Sequence, residues 1–178
     1  MTMFKWIAIA AFLATIAGTG LHHVMRRRSK PLPAPPPRFP KIEALLVAMA
    51  AVGFITLAFT GFCGATLLAH PLHGYWTIIH VSASGMFATA IACLAIMRGE
   101  AYKLGTVSRR FSTSQKCCFW ILTAATLVLI LSILIPMLRF LATPAQSLAI
   151  EIHRYAALVS LIAALVYAHL ARATNAGQ

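Results

Sequence analysis

His80 and His153 each lie about one turn inside a long apolar segment. An imidazole is costly in hydrocarbon and is normally retained there for a ligand, a proton or a partner. Two imidazoles at matching depth form the donor set of a b-type haem held through its axial positions. Bis-imidazole ligation gives low-spin iron with little reorganisation on reduction, which suits electron transfer rather than oxygen chemistry. The alternative chemistry is plainer: interfacial histidines bonded to neighbouring helices or to lipid headgroups.

The elements that must position these residues follow from composition. Of 178 residues, 60% are hydrophobic and 10% charged, and the mean hydropathy is +0.83, outside the range of a soluble domain. Five spans are expected, near Trp6–Val24, Ala44–Ala69, Trp76–Met97, Cys117–Leu138 and Leu148–Ala171. Each is long enough to cross roughly 30 Å of hydrocarbon as a helix. His80 follows Trp76 by four residues and His153 follows Leu148 by five. Both therefore come level about 6–8 Å from the start of spans that run the same way.

The net charge of +12 comes from 15 Lys and Arg against Glu43, Glu100 and Glu151. The cations cluster between apolar spans as membrane topology requires, which argues against nucleic acid. Twelve share one side: Arg26, Arg27, Arg28, Lys30, Arg38, Lys41, Arg98, Lys103, Arg109, Arg110, Lys116 and Arg172. Lys5, Arg139 and Arg154 occupy the other. The positive-inside rule then puts the N-terminus outside and the C-terminus in the cytoplasm. Domain expectations are an uncleaved anchor helix over 1–25, a basic proline-rich linker over 26–41, a four-helix unit over 42–172 and a tail over 173–178.

Cys63, Cys93, Cys117 and Cys118 lie in or at the ends of spans without a C-x-x-C-H pattern, which excludes covalent c-type haem. Small residues, Val81-Ser82-Ala83-Ser84-Gly85 and Thr60-Gly61 with Gly64, line helix faces that a flat macrocycle or another helix can approach closely. Gly61 and Gly85 are the candidates for close haem approach. Arg139 and Arg154 flank the haem level and are candidate partners for its propionates. His70 and His73 lie in an outer loop, and Pro136 near the end of the fourth span frees a backbone carbonyl. His169, sixteen residues after His153, sits about 160° around the helix from it. Its position allows a meeting with His22 or His23 near the inner surface, where the pair would hold a second haem outside the four-helix unit.

The stretch Arg110-Phe111-Ser112-Thr113-Ser114-Gln115-Lys116, followed by Phe119-Trp120, resembles the loop-to-helix motif of the formate dehydrogenase gamma-subunit and related cytochrome b561-like membrane cytochromes b. Leu57 through Thr60-Gly61 is similar to the ending of that family's first core helix. The resemblance covers roughly residues 38–172 and implies an all-α integral membrane fold, a four-helix cytochrome b bundle here preceded by one extra N-terminal transmembrane helix. It also implies haem b ligands on the first, second and fourth core helices. His80 matches the second-helix ligand and His153 the outer ligand of the fourth. The family's inner haem lacks its ligands here, since Glu43-Ala44-Leu45-Leu46-Val47 holds no histidine and Tyr167 stands fourteen residues after His153. One haem b is expected.

The resemblance further implies a quinone site near Ser112, Gln115, Lys116 and Tyr167, and a periplasmic iron-sulfur or multihaem partner alongside other membrane subunits. The expected role is a membrane electron-transfer subunit in the bacterial inner membrane, linking that partner to the quinone pool. Its outer loops are too short to hold substrate chemistry of their own. A haem-free membrane anchor is the second expectation. A transporter is disfavoured, because Glu151 is the sole acid near a span on the outer side and no broken-helix repeat is visible.

Overall fold

A computed structural model describes residues 2–25, 39–64, 72–105, 111–137 and 143–175. Among them the chain is all-helical: α1 (Thr2–Met25), α2 (Pro40–Cys63), α3 (Tyr75–Arg98), α4 (Thr113–Met137) and α5 (Thr143–Asn175). All five are long and apolar enough to cross a membrane, which makes the chain a multi-pass membrane protein. Large apolar side chains such as Ile55, Ile78, Ile96, Leu127 and Leu148 point outward. That pattern suits a lipid solvent.

Polar first turns move the helix starts away from the expected spans. α2 opens on Pro40 in its first turn, where a missing N–H costs nothing, so the helix takes in Pro40 and Lys41 from the expected linker. α4 opens at Thr113, four residues before Cys117, and α5 at Thr143, five before Leu148. α5 runs 33 residues, about 50 Å, and so outreaches the hydrocarbon and continues past the expected end at Ala171. The proline run 31–37 lies outside the described residues.

The chain divides into two compact units, Met1–Ile9 with Pro35–Glu100, and Ala10–Ala34 with Ala101–Gln178. In the first, α2 and α3 pack as an antiparallel hairpin, and Phe4 and Ala8 of α1 are buried one turn apart. Gly53 sets the closeness of this hairpin: a Cβ there would lie 3.1 Å from Phe87 Cβ and 3.2 Å from the Ala83 carbonyl. Phe54 and Phe87 pack with ring centroids 5.5 Å apart. At the end carrying the start of α2 and the finish of α3, Arg98 donates from Nε to Glu43 Oε1 at 2.7 Å and from a terminal nitrogen to the same oxygen. The acid sits at a helix N-terminus and the cation at a C-terminus, so each also suits its helix dipole.

In the second unit α4 and α5 pair through small and hydroxyl residues, with Ala125, Thr126, Ser132, Ala149, Ala156, Ser160 and Ala163 all buried. Small residues bring the backbones close, the usual source of attraction between helices in lipid.

Loss of one partner of the Glu43–Arg98 pair should destabilise the first hairpin by about 3 kcal/mol, and removing both should recover most of that. Unfolding of Arg98→Met and of the Glu43→Met/Arg98→Met double variant in mixed micelles measures the difference. Equal losses in the two would show that the pair does not tie the helices.

Candidate functional site

His80 sits on α3, half-buried, with its Nδ1 2.7 Å from Thr60 Oγ1 on α2. Thr60 is 2% exposed, and its hydroxyl also lies 2.8 Å from the Thr56 carbonyl one turn back. A threonine hydroxyl has a single proton. Two oxygens at 2.8 Å with no proton between them would repel, so that proton goes to Thr56. Thr60 Oγ1 then accepts from His80, which puts a proton on Nδ1.

The same accounting applies at His153 on α5. Its Nδ1 lies 3.1 Å from Ser132 Oγ and 3.2 Å from the Leu129 carbonyl, both on α4. A carbonyl can only accept, and Ser132 donates its own proton to the Leu129 carbonyl at 2.9 Å. His153 is therefore also protonated at Nδ1, with its lone pair on Nε2. A metal-ligating histidine is commonly set up in this way, with the far nitrogen donating to a fixed acceptor so that the tautomer and ring plane are held.

Each ring, taken by itself, has the chemistry of an axial donor. Gly61 adds to the fit at His80, since a Cβ on it would lie 3.4 Å from His80 Cε1, leaving room for the ring against the α2 backbone. Gly85 differs: it is exposed, and a Cβ there would meet nothing within 4 Å. Of the small-residue run, Ala83 is the member buried toward α2.

The other expected site residues fall into place unevenly. Arg154 forms an ion pair with Glu151 one turn back on α5, so its charge is shared with a carboxylate. Arg139 and His70 lie outside the described residues, as do the side chains of His22 and His23. His73 is exposed, and His169 is half-buried on α5. Cys117 is exposed and Cys118 half-buried at the start of α4, and among the described residues no three His, Cys, Asp or Glu side chains gather as a metal-binding group.

The residues expected at a quinone site are all engaged in holding the loop before α4. Ser112 Oγ accepts from the Gln115 N–H at 3.2 Å, while Gln115 Oε1 accepts from the Ser112 N–H at 2.8 Å. This reciprocal capping box starts α4. Lys116, 2% exposed, donates to the Lys103 carbonyl at 3.0 Å, and Trp120 Nε1 donates to the Tyr102 carbonyl at 2.9 Å. Tyr102 is wholly buried, with the Phe111 and Phe119 rings each 4.2 Å away, and its hydroxyl shares a hydrogen bond with that of Tyr167. The Gln-Lys-x-x-Phe-Trp element is thus a clamp on its own loop.

The hydroxyl partners of the two histidines are what reading the sequence missed: Thr60 stood there only as part of a small-residue face, and Ser132 not at all. Each stands opposite its histidine in a hairpin, Thr60 and His80 ten residues to either side of position 70, Ser132 five residues before the end of α4 and His153 ten after the start of α5. For Thr60, a hydroxyl at mirrored distance from an intramembrane histidine was the available signal. Ser160, two turns beyond His153 on α5, is 1% exposed, and its Oγ has no hydrogen-bond partner among the described residues.

Comparison with protein families, with curated proteins and with solved structures finds no match to this chain.

A buried hydroxyl without a partner costs about 1–3 kcal/mol. Ser160→Ala should therefore leave stability unchanged or raise it, while Ser112→Ala should lower it by about 1 kcal/mol through loss of the α4 cap. Side-by-side detergent unfolding would show the order, and a Ser160→Ala variant weaker than Ser112→Ala would mean that the Ser160 hydroxyl is bonded in the membrane.

Proposed function

We propose that the chain is a b-type cytochrome acting as a membrane electron-transfer subunit of a bacterial oxidoreductase complex. Its haem b takes one axial nitrogen from His80 and the other from His153. The observation that carries this reading is the hydrogen bonding of the two rings: each hairpin contains one half-buried imidazole whose Nδ1 lies within hydrogen-bond distance of a hydroxyl on the facing helix, an arrangement that assigns the ring proton to Nδ1. The haem, when bound, supplies a one-electron couple. The chain supplies two neutral nitrogen donors, a close approach at Gly61 and cations on Arg139 and Arg154 for propionates.

The charge distribution supports an inner-membrane setting with the N-terminus periplasmic and the C-terminus cytoplasmic. An iron-sulfur or multihaem protein at the outer surface would provide or accept electrons, and other membrane subunits would complete the complex. Quinone is the second redox partner in this reading. A quinone at Ser112, Gln115, Lys116 and Tyr167 would compete with hydrogen bonds that those residues already make. It would also lie about 21 Å along α5 from His153, by the fourteen-residue separation of Tyr167. A quinone nearer the level of the histidines is physically preferable.

A haem-free membrane anchor is the second reading, and the same hydrogen bonds favour it in one respect. They link α2 to α3 and α4 to α5 without any cofactor. An anchor, however, has no need for an imidazole where an asparagine or a second hydroxyl would bridge the helices equally well.

The first test is a reduced-minus-oxidised visible spectrum with pyridine haemochrome quantitation on the purified chain. One haem b per chain is expected, lost in His80→Ala and in His153→Ala and retained in His169→Ala. Absence of haem in the unaltered chain would leave the anchor reading standing, and a full bis-imidazole spectrum in His80→Ala would refute the ligand assignment.

In oriented vesicles, a membrane-impermeant reductant should reduce the haem faster from the face opposite Arg26–Arg28 than from the face bearing them. Removing Arg139 or Arg154 should lower its midpoint potential, because loss of a nearby cation disfavours the added electron. For Arg154 the unpaired Glu151 carboxylate acts in the same direction. Equal rates from both faces together with unchanged potentials would contradict the placement.

A further inference from the structure

Where His153 meets α4, a single turn of that helix supplies both of its acceptors. Nδ1 lies 3.1 Å from Ser132 Oγ and 3.2 Å from the Leu129 carbonyl, and among the described residues the ring makes no other hydrogen bond. Two acceptors at nearly equal and rather long distances mark a three-centre bond, with one proton shared between them. Ser132 also donates to that carbonyl at 2.9 Å, so its oxygen is fixed on the helix and turned toward the ring. It is 5% exposed, and Ala149 and Ala156, one turn to either side of His153 on α5, are buried and keep the helices close. The ring therefore stands between two acceptors instead of lying fully against either.

We infer that Ser132 is a positioning residue for His153: by holding a share of the Nδ1–H it sets the direction in which Nε2 points and strengthens that nitrogen as a donor to iron. This inference rests on the haem reading. An acceptor on Nδ1–H gives the ring partial imidazolate character, which favours the oxidised metal and lowers the reduction potential. The Leu129 carbonyl is backbone and stays when the side chain changes, so it alone is enough to keep the tautomer. What the hydroxyl adds is the position of the ring and part of its donor strength. Thr126 provides the contrast within the same helix pair: it is 4% exposed, and its hydroxyl donates to the Leu122 carbonyl of its own helix at 2.8 Å.

The test uses the full-length chain and two readouts. In haem-free protein with ¹⁵N-labelled histidine, the His153 resonances, assigned by their loss in His153→Ala, should show the Nδ1–H tautomer. Ser132→Ala should keep that tautomer and move the Nδ1 proton resonance, since the whole bond passes to the carbonyl. In haem-loaded protein, Ser132→Ala should weaken haem binding about 10-fold, the lower end of the usual loss for an outer-shell partner, and raise the midpoint potential. Ser132→Thr, which keeps a hydroxyl, should restore both, and Thr126→Val should change neither. An unchanged resonance, affinity and potential in Ser132→Ala, with haem still bound, overturns the role of Ser132 alone. So does a Thr126→Val potential shift as large as that of Ser132→Ala, which would reflect a general loosening of the helix pair. A mixture of tautomers in Ser132→Ala would overturn the sharing with Leu129. An unaltered chain that takes no haem overturns the electron-transfer reading and the tuning role together.

Discussion

An imidazole placed among hydrocarbon has an N–H that water cannot satisfy, and the packing of both hairpins is organised around giving it an acceptor. The cost of an unmet donor there is several kcal/mol. Thr60 and Ser132 meet it, and each is itself spoken for by a carbonyl of its own helix. That second bond matters as much as the first. A hydroxyl free to rotate would serve either tautomer, whereas one already donating to its helix admits only the Nδ1–H form. The chemistry of the histidine is thus decided by the helix facing it.

The same requirement explains why small residues gather where they do. A hydroxyl reaches an imidazole across a helix pair only if the backbones approach closely, and Gly53 and Ala83 permit this between α2 and α3. Between α4 and α5 the alanines at 125, 149, 156 and 163 have that role. The ion pair of Glu43 with Arg98 then closes the far end of the first hairpin.

Five apolar helices were legible in the sequence because length and hydropathy suffice to define a span. Their starts were not, because α4 and α5 begin with polar turns. The capping box of Ser112 and Gln115, and the proline in the first turn of α5, mark those starts by hydrogen-bond and backbone logic to which hydropathy is blind. His80 and His153 were legible as costly residues in an apolar setting, but their partners were not, since threonine and serine are ordinary in membrane helices. The most family-like element, Gln115 to Trp120, turned out to have a structural occupation of its own around Tyr102. A motif of that kind speaks more directly of a loop held on a helix than of a cofactor.

Each hairpin satisfies its intramembrane histidine internally. α2 and α3 carry the acceptor for His80 as well as the counter-charge for Arg98, and α4 and α5 carry the acceptors for His153. For a chain threaded into the bilayer during synthesis, this has a kinetic meaning. α2 and α3 can leave the insertion machinery as a pair before α4 and α5 have been made, with the Thr60 acceptor for His80 already in place. Biogenesis can then proceed two helices at a time, each pair delivering to the bilayer an imidazole whose proton is already placed.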